Sequence, residues 1–249
     1  MAEQQKIADC LGSLDDLIEA KVRKLDALWK HKQGLMQKLF PQPGETVPRL
    51  RFPRFREDPE WEEKKLGDVA AVLMCKRIFA SQTNPNGGVP FYKIGTLGGV
   101  PDAFISKEIF EEYKSNYNFP RTGEILITCS GTIGKCLPYD GSDAYFQDSN
   151  IVWIDNPTHK VSNEFLLCIL SNVDWSTLNS TTITRIYGPD LRELLIKFPQ
   201  KETEQQCISD SICSLDDLIA AEGGEVEALR KHKQGLTQQL FPSLEEESR

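Results

Sequence analysis

The 249-residue sequence lacks any apolar run near the roughly 18 residues that a bilayer-crossing helix requires, which argues against a membrane span. Its first residues, Met1 to Gln5, have neither the basic stretch nor the apolar core of a secretory signal, so the expected location is the cytoplasm. No Cys-x-x-Cys occurs. The seven cysteines, at 10, 75, 129, 136, 168, 207 and 213, cannot grip zinc in such pairs or exchange disulfides through them, and are expected to be reduced thiols. Three histidines are too few for a His-rich metal site, and His31 and His232 occupy equivalent places in a repeat. Enzymatic signatures are missing as well. The Gly-x-x-x-x-Gly-Lys-Ser/Thr order of a phosphate loop is absent, and with it the support for nucleotide hydrolysis. An adenine methyltransferase needs a glycine-rich cofactor loop and an Asn/Asp-Pro-Pro-aromatic tetrapeptide, for which Asn84-Pro85-Asn86-Gly87 is no substitute. A nuclease needs clustered carboxylates beside a lysine to hold magnesium. Asp140, Asp143 and Asp148 lie in a turn-rich stretch and read as solvated turn acids. The expectation is a chain with no catalytic residues, no metal and no cofactor of its own.

Positive charge is also short. With 29 Lys and Arg against 37 Asp and Glu, the net charge is -8, which argues at first against nucleic acid, since affinity for DNA comes largely from cations that replace counterions at phosphates. The distribution qualifies this. Residues 1–44 hold 7 basic against 6 acidic side chains, residues 45–201 hold 18 against 20, and residues 202–249 hold 4 against 11. The nearly neutral middle would bind DNA weakly alone and would need cations from a partner.

What the sequence does have is an internal repeat. Residues 3–42 match residues 204–243 at a constant offset of 201, with 24 of 40 positions identical and no gap. Shared blocks include Ser13 to Ile18 with Ser214 to Ile219, Lys30 to Leu35 with Lys231 to Leu236, and a closing Leu-Phe-Pro at 39–41 and 240–242. Copies separated by about 160 residues cannot stack as a solenoid, whose repeats must be contiguous to share a core. They read as two matching arms.

Each arm carries apolar residues at alternating steps of four and three, the seam of a coiled coil. The first stripe runs Ile7, Leu11, Leu14, Ile18, Lys21, Leu25, Leu28, Lys32, Leu35 and Leu39; the second runs Ile208, Ile212, Leu215, Ile219, Glu222, Val226, Leu229, Lys233, Leu236 and Leu240. If the middle segment returns the chain to its starting point, the arms lie antiparallel, bury their stripes on one another, and bring the central Lys21 and Glu222 together. A second copy meeting the same stripes would instead give a homodimer through the arms, and the core of an ordinary helical bundle would leave the near-duplication unexplained. Thr203-Glu204-Gln205-Gln206 has capping-box spacing downstream of Pro199, which starts the second arm near residue 204. Ser13 to Asp16 and Ser214 to Asp217 repeat a similar signature, so each arm is expected as a short helix followed by a longer one. Gly223-Gly224, at roughly 1 kcal/mol per glycine relative to alanine, predicts a local break, and Pro41 and Pro242 end the arms.

Between the arms, prolines at 43, 48, 53 and 59 describe an extended linker over 42–59 that wraps onto the next domain. Short apolar runs at 66–74, 91–94, 124–128, 133–137 and 151–154 read as strands, and patterns at 106–114, 163–171 and 189–195 as helices. The fold class is therefore α+β: one mixed α/β domain with a curved, irregular sheet, flanked by two long repeated helical arms forming an antiparallel coiled coil. The boundaries are an arm over 1–42, the domain over 43–201 and a second arm over 202–249.

Three places in the middle domain have the chemistry to meet a ligand. The loop Ser130-Gly131-Thr132-Ile133-Gly134-Lys135 offers backbone N–H groups, the hydroxyls of Ser130 and Thr132 and the Lys135 ammonium, a set suited to phosphate. A plain hairpin turn would have the same composition. The segment 179–188 carries Thr182, Thr184, Arg185 and Tyr187, and an arginine can bind guanine through two hydrogen bonds. The glycine-rich connection from Cys75 through Asn84 to Gly88 and on to Lys93 contributes Lys76, Arg77 and Lys93, and is long enough to reach a groove. Either of the last two could equally be a solvated surface loop.

Several motifs resemble those of DNA-specificity subunits of type I restriction-modification systems. The arm starts, Glu3 to Ala8 and Glu204 to Ile208, and the Lys-Gln-Gly-Leu-x-Gln-x-Leu-Phe-Pro arm endings resemble the conserved regions of that family. Arg49 to Pro53 with Trp61 to Val69, then Gly123 to Thr128 and on to Gly134-Lys135, resemble the opening and central motif of its target-recognition domains. The resemblance covers nearly the whole chain, in the expected order. It implies a non-catalytic subunit that reads one half of a bipartite double-stranded DNA target and docks methyltransferase (modification) subunits on its arms, with Leu14, Ile18, Leu25, Leu28, Leu215, Ile219, Leu229 and Leu236 as the docking set. Those subunits would bring S-adenosylmethionine and the missing positive field, and a restriction subunit would join through the complex. A full subunit of the family has two recognition domains. A chain beginning at the central arm has one, so a half-site reader is expected. The alternative is an interaction protein whose arms occupy modification subunits and block or alter assembly, with little DNA binding.

Overall fold

The computed structural model describes residues 2–175 and 185–241. It divides into two compact units, one formed by Met1–Leu39 with Asp210–Arg249 and the other by Phe40–Ser209.

In the first unit, helix α1 (Ala2–Leu39) faces helix α5 (Glu202–Leu240) from Asp210 onward. Their ion pairs set the direction. Asp15 meets Lys233 at 2.5 Å, Lys21 meets Glu222 at 3.2 Å, and Lys32 meets Asp216, so rising numbers on one helix meet falling numbers on the other and the pair is antiparallel. The expected Lys21–Glu222 contact is thus formed. Every stripe position of α1 is half-buried or buried, while in α5 Ile208, Ile212, Ile219, Glu222 and Val226 are buried and Leu240 is exposed. The residues between stripe positions are mostly exposed, so the four-three spacing places the stripe on the covered face.

Three expectations for the arms need correction. Neither arm is split into a short and a long helix: each is continuous. Gly223 and Gly224 cause no break, because both lie inside α5 between the buried Glu222 and Val226, whose burial offsets the roughly 2 kcal/mol that two glycines cost. Thr203 does not cap the second arm either, because the helix already begins at Glu202. Glu204 and Gln205 bind elsewhere instead. Glu204, 1% exposed, accepts from Arg51 Nε at 2.7 Å and Nη2 at 2.8 Å and from the Trp61 indole at 3.3 Å. Arg51 also donates to the Asp58 and Pro59 carbonyls, so the pair is buried with most of its polar valences filled. Gln205 accepts from Ser162 N and donates to the Lys160 and Pro199 carbonyls. The proline-rich stretch does wrap onto the second unit, through Arg51 and the buried Phe55.

Among the described residues the second unit holds ten short strands, distributed over three small sheets, and helices α2 (Lys107–Asn116), α3 (Asn163–Ser171) and α4 (Gly188–Glu193). Strands β1 (Glu62–Lys65) and β10 (Leu195–Phe198) pair antiparallel. A second sheet has the order β2 (Ala71–Leu73), β9 (Ile151–Asp155), β6 (Ile125–Thr128), β7 (Cys136–Pro138), all antiparallel. The third is ordered β3 (Thr83–Asn84), β5 (Phe104–Ile105), β4 (Val89–Tyr92), β8 (Tyr145–Phe146), the last two parallel. Central strands β6 and β9 are buried on both faces, which is why they read as unbroken apolar runs. Helices α2 (Lys107–Asn116) and α3 (Asn163–Ser171) are each capped by a serine, Ser106 and Ser162, whose hydroxyl accepts a backbone N–H of the first turn. Helix α4 (Gly188–Glu193) leads into β10. Phe110, Leu126, Tyr145 and Trp153, none more than 1% exposed, centre one core cluster, and Phe40, Trp61 and Phe165 form a second with ring centroids 5.5 to 5.9 Å apart. The strand expected over 66–74 is broken by a 3-10 turn at Leu66–Asp68, and the helix expected over 189–195 ends at Glu193, with Leu195–Phe198 forming β10.

Candidate nucleic-acid interface and the arm pair

The hairpin joining β6 to β7 is closed by the side chain of Thr128, whose hydroxyl donates to the Thr132 carbonyl and accepts from Lys135 N at 3.0 Å. Gly134 N donates to Thr128 O at 2.8 Å. Gly134 has φ 74°, and a Cβ there would stand 2.2 Å from the Trp175 ring, so only glycine lets the hairpin seat against that indole. The hairpin next engages the chain just before α4. Ser130 and Arg185 form an antiparallel bridge, and Ile186 N donates to Cys129 O at 2.9 Å.

Both segments meet at a turn over residues 147–150 that the sequence reading did not select. Cys129 N donates to Asn150 O at 2.8 Å, and the Ser130 hydroxyl to Asn150 Oδ1 at 2.8 Å. Arg185 Nη2 donates to Ser149 O at 3.0 Å, and Arg77 pairs with Asp148 at 2.8 Å. Gln147 N donates to Tyr92 O at 2.9 Å, tying in the glycine-rich connection that ends at Lys93. Ser149 has φ 55°, the left-handed conformation that a short polar side chain tolerates in a tight turn. All three sequence-selected places therefore converge on one turn. Asp148, expected as a solvated turn acid, is instead only 15% exposed at its side chain and is held by Arg77, because its partner lies 71 residues away in sequence.

The selected cations do not project freely. Lys135 Nζ donates to Leu97 O at 2.5 Å, Lys93 pairs with Asp102 at 2.9 Å, and the Lys76 ammonium sits 5.0 Å from the Tyr117 ring centroid. The Arg185 guanidinium lies 5.5 Å from the Tyr187 ring, and its Nε is buried with no acceptor among the described residues. Thr182 and Thr184 lie outside the described residues. The sequence reading did not select Asn150, whose Oδ1 accepts from Ser130 and whose side-chain amide is of a type that can meet base edges in a groove. The signal that could have found it is the Asp-Ser-Asn sequence, a frequent turn composition.

The cysteines near this site are not activated. Burial pushes the Cys129 thiol up to about 11 and those of Cys75 and Cys136 up to about 12, so all three stay protonated near neutral pH. Among the described residues no group of three or more His, Cys, Asp or Glu is placed to hold a metal ion, and no helix is long and apolar enough to cross a membrane.

On the arms, Leu14, Ile18, Leu25, Leu28, Leu215, Ile219, Leu229 and Leu236 all lie on the covered stripes. The exposed large apolar side chains are others: Leu17 at 45%, Leu218 at 53% and Trp29 at 52%, with Leu240 and Phe241 at the end of α5. Leu17 and Leu218 are equivalents in the repeat. At the centre of the pair, Glu222 accepts from Lys24 and Lys21, which hold its carboxyl below the ordinary carboxylate value, and the Glu225 and Glu222 carboxylates raise the Lys21 ammonium above its own.

Comparison with known proteins gives one answer. The type I restriction modification DNA specificity domain matches residues 59–231. A putative type I restriction enzyme specificity subunit of Haemophilus influenzae is 47% identical over 145 residues, covering 58% of this chain and 38% of that protein. The putative MjaX specificity subunit of Methanocaldococcus jannaschii is 26% identical over 97% of this chain and 57% of its own length. Among solved structures, the S subunit of a type I restriction-modification system from M. genitalium superposes with a TM-score of 0.66 at 15% identity, over 98% of this chain and 62% of that one. The HsdS subunit from Thermoanaerobacter tengcongensis gives 0.63 at 18% identity, over 95% and 56%. The chain thus spans less than two thirds of the length of each of these proteins.

Proposed function

Because the chain belongs to the type I restriction modification DNA specificity family, we propose that it is a non-catalytic subunit that reads one half of a bipartite double-stranded DNA target through the cluster around residues 147–150. The observation that carries this reading is the convergence of Arg77, Ser130, Asn150 and Arg185 on one turn, with the Lys135 hairpin beside it. Hydroxyl, amide and guanidinium groups held by a rigid turn suit base edges, while Lys76, Lys93 and Lys135 suit the phosphates that set register. The internal partners of Lys93 and Lys135 are weak competitors, since the exposed Asp102 carboxylate and the Leu97 carbonyl can be exchanged for phosphate oxygens as DNA arrives. We assign residues 43–201 to recognition and residues 1–42 and 202–249 to the arms. Methyltransferase (modification) subunits dock on the arms, chiefly at Leu17, Leu218 and Trp29, because the stripe leucines are engaged within the pair. These subunits supply the cofactor and the positive field that a chain of net charge -8 lacks, and a restriction subunit joins through them.

Selection from a pool of random duplexes, with and without the modification subunit, tests this reading. One short fixed motif is expected, relaxed at one position in an Arg185→Ala chain and bound more weakly across all duplexes by a Lys135→Ala chain, while both variants still bind the modification subunit. If neither condition enriches a sequence, the internal engagement of Arg77, Lys93, Lys135 and Arg185 favours the second reading, an interaction protein that occupies modification subunits and alters assembly.

A further inference from the structure

We propose that the charged residues at the middle of the arms, Lys21 and Lys24 on α1 and Glu222 and Glu225 on α5, act as a selector that lets a first arm pair only with a second arm, of its own chain or of another copy. The arms are near-duplicates, and a duplicated coiled-coil strand carries a built-in hazard: whatever binds its twin also binds its own kind. The apolar stripe positions give no discrimination, because both arms present Leu, Ile or Val at equivalent places. The flanking ion pairs give none either. Asp15 with Lys233 and Asp216 with Lys32 are built from residues common to both arms, so two first arms in the same antiparallel register would form Asp15–Lys32 twice over.

Only the centre differs in sign. Residues 21–24 read Lys-Val-Arg-Lys where residues 222–225 read Glu-Gly-Gly-Glu. Lys21 reaches Glu222 at 3.2 Å and also Glu225, while Lys24 reaches Glu222, which is only 7% exposed. Two first arms in this register would set Lys24 of one copy opposite Lys21 of the other and crowd four ammonium groups at the centre. Two second arms would crowd four carboxylates, two of them buried. Crowding like charges at the centre, with the Glu222 carboxylate buried and the Lys21 side chain only 26% exposed, is unfavourable, so like arms reject one another and unlike arms accept. The selectivity resides in charge alone and stands apart from DNA reading.

Reversing each half of the selector in the full chain tests this. An acidic variant, Lys21→Glu with Lys24→Glu, and a basic variant, Glu222→Lys with Glu225→Lys, should each remain at the 28.2 kDa mass of one chain by light scattering. Mixed or co-expressed, they should form a 1:1 complex of twice that mass, because each first arm finds a complementary second arm only on the other chain. A chain carrying all four exchanges should match the parent in mass and unfolding temperature. The proposal is overturned if the two variants do not combine, if either associates with itself as readily as with the other, or if the four-fold exchange does not restore the parent's behaviour.

Discussion

The two arms and the unit between them are held together by different means. In the arms, most stripe side chains of α1 stay half-buried, and alignment comes from ion pairs at intervals along the pair. The unit between them instead has Phe110, Leu126, Tyr145, Trp153 and Phe165 almost entirely out of water, and its buried Arg51–Glu204 ion pair has most of its polar valences filled by hydrogen bonds. A pair of helices meeting along a single seam can be adjusted residue by residue, whereas a closed core resists any change of volume. An extended, adjustable element suits holding partners in place, and a rigid one suits presenting a fixed set of donors to base edges.

The contrast can be broken from the recognition side with the largest effects. Glu204→Ala would leave Arg51 buried without its carboxylate, and a loss of about 3–5 kcal/mol is expected in urea unfolding followed by tryptophan fluorescence. Phe110→Ala should cost about 3–5 kcal/mol in the same measurement, because a ring at 0% exposure leaves a cavity when removed. A value under about 1 kcal/mol for both would show that the unit is not the rigid member of the pair.

On the recognition surface the effects shrink. Arg185→Ala should lose about 1–3 kcal/mol of discrimination at one base pair, seen as a relaxed position in the selected motif. Lys135→Ala should weaken every duplex alike and lower the slope of log affinity against log salt by about 1. Smaller still is the arm response: Lys32→Ala should change stability by no more than about 1 kcal/mol, since its partner Asp216 is half exposed. pH sharpens the same comparison. The lowered Glu222 carboxyl stabilises the arm pair above the ordinary carboxylate value of 4.5, a contribution lost as pH falls through the lowered value. The raised Lys21 ammonium stabilises it below 10.5, a contribution lost as pH rises through the raised value. Arm pairing followed by distance labels on α1 and α5 should be flat between those limits and fall outside them.

The arms were legible in the sequence because a helix obeys a local rule: a four-three spacing repeated over ten positions leaves one face to bury, and an exact offset of 201 supplies the partner. Their interior was less so. Local penalties at Gly223 and Gly224 predicted a break that neighbouring burial overrides. In the recognition unit, β6 and β9 were readable as apolar runs, whereas β3, β5 and β8 are two residues long, too short to show a period. Strand β1 reads Glu-Glu-Lys-Lys and exists because β10 pairs with it from some 130 residues away. The site followed the same division. Side-chain type drew attention to Arg77, Ser130, Lys135 and Arg185, but only the fold brings the turn at 147–150 among them, and only the fold shows that each cation already has a partner.

Hydrogen exchange of the full chain, compared with and without a duplex carrying its selected motif, tests this division of labour most directly. The account predicts added protection at residues 76–77, 93–97, 130–135 and 147–150 and none along residues 10–30 or 215–235. Protection confined to the arms, or centred on the β1–β10 pair, would contradict it.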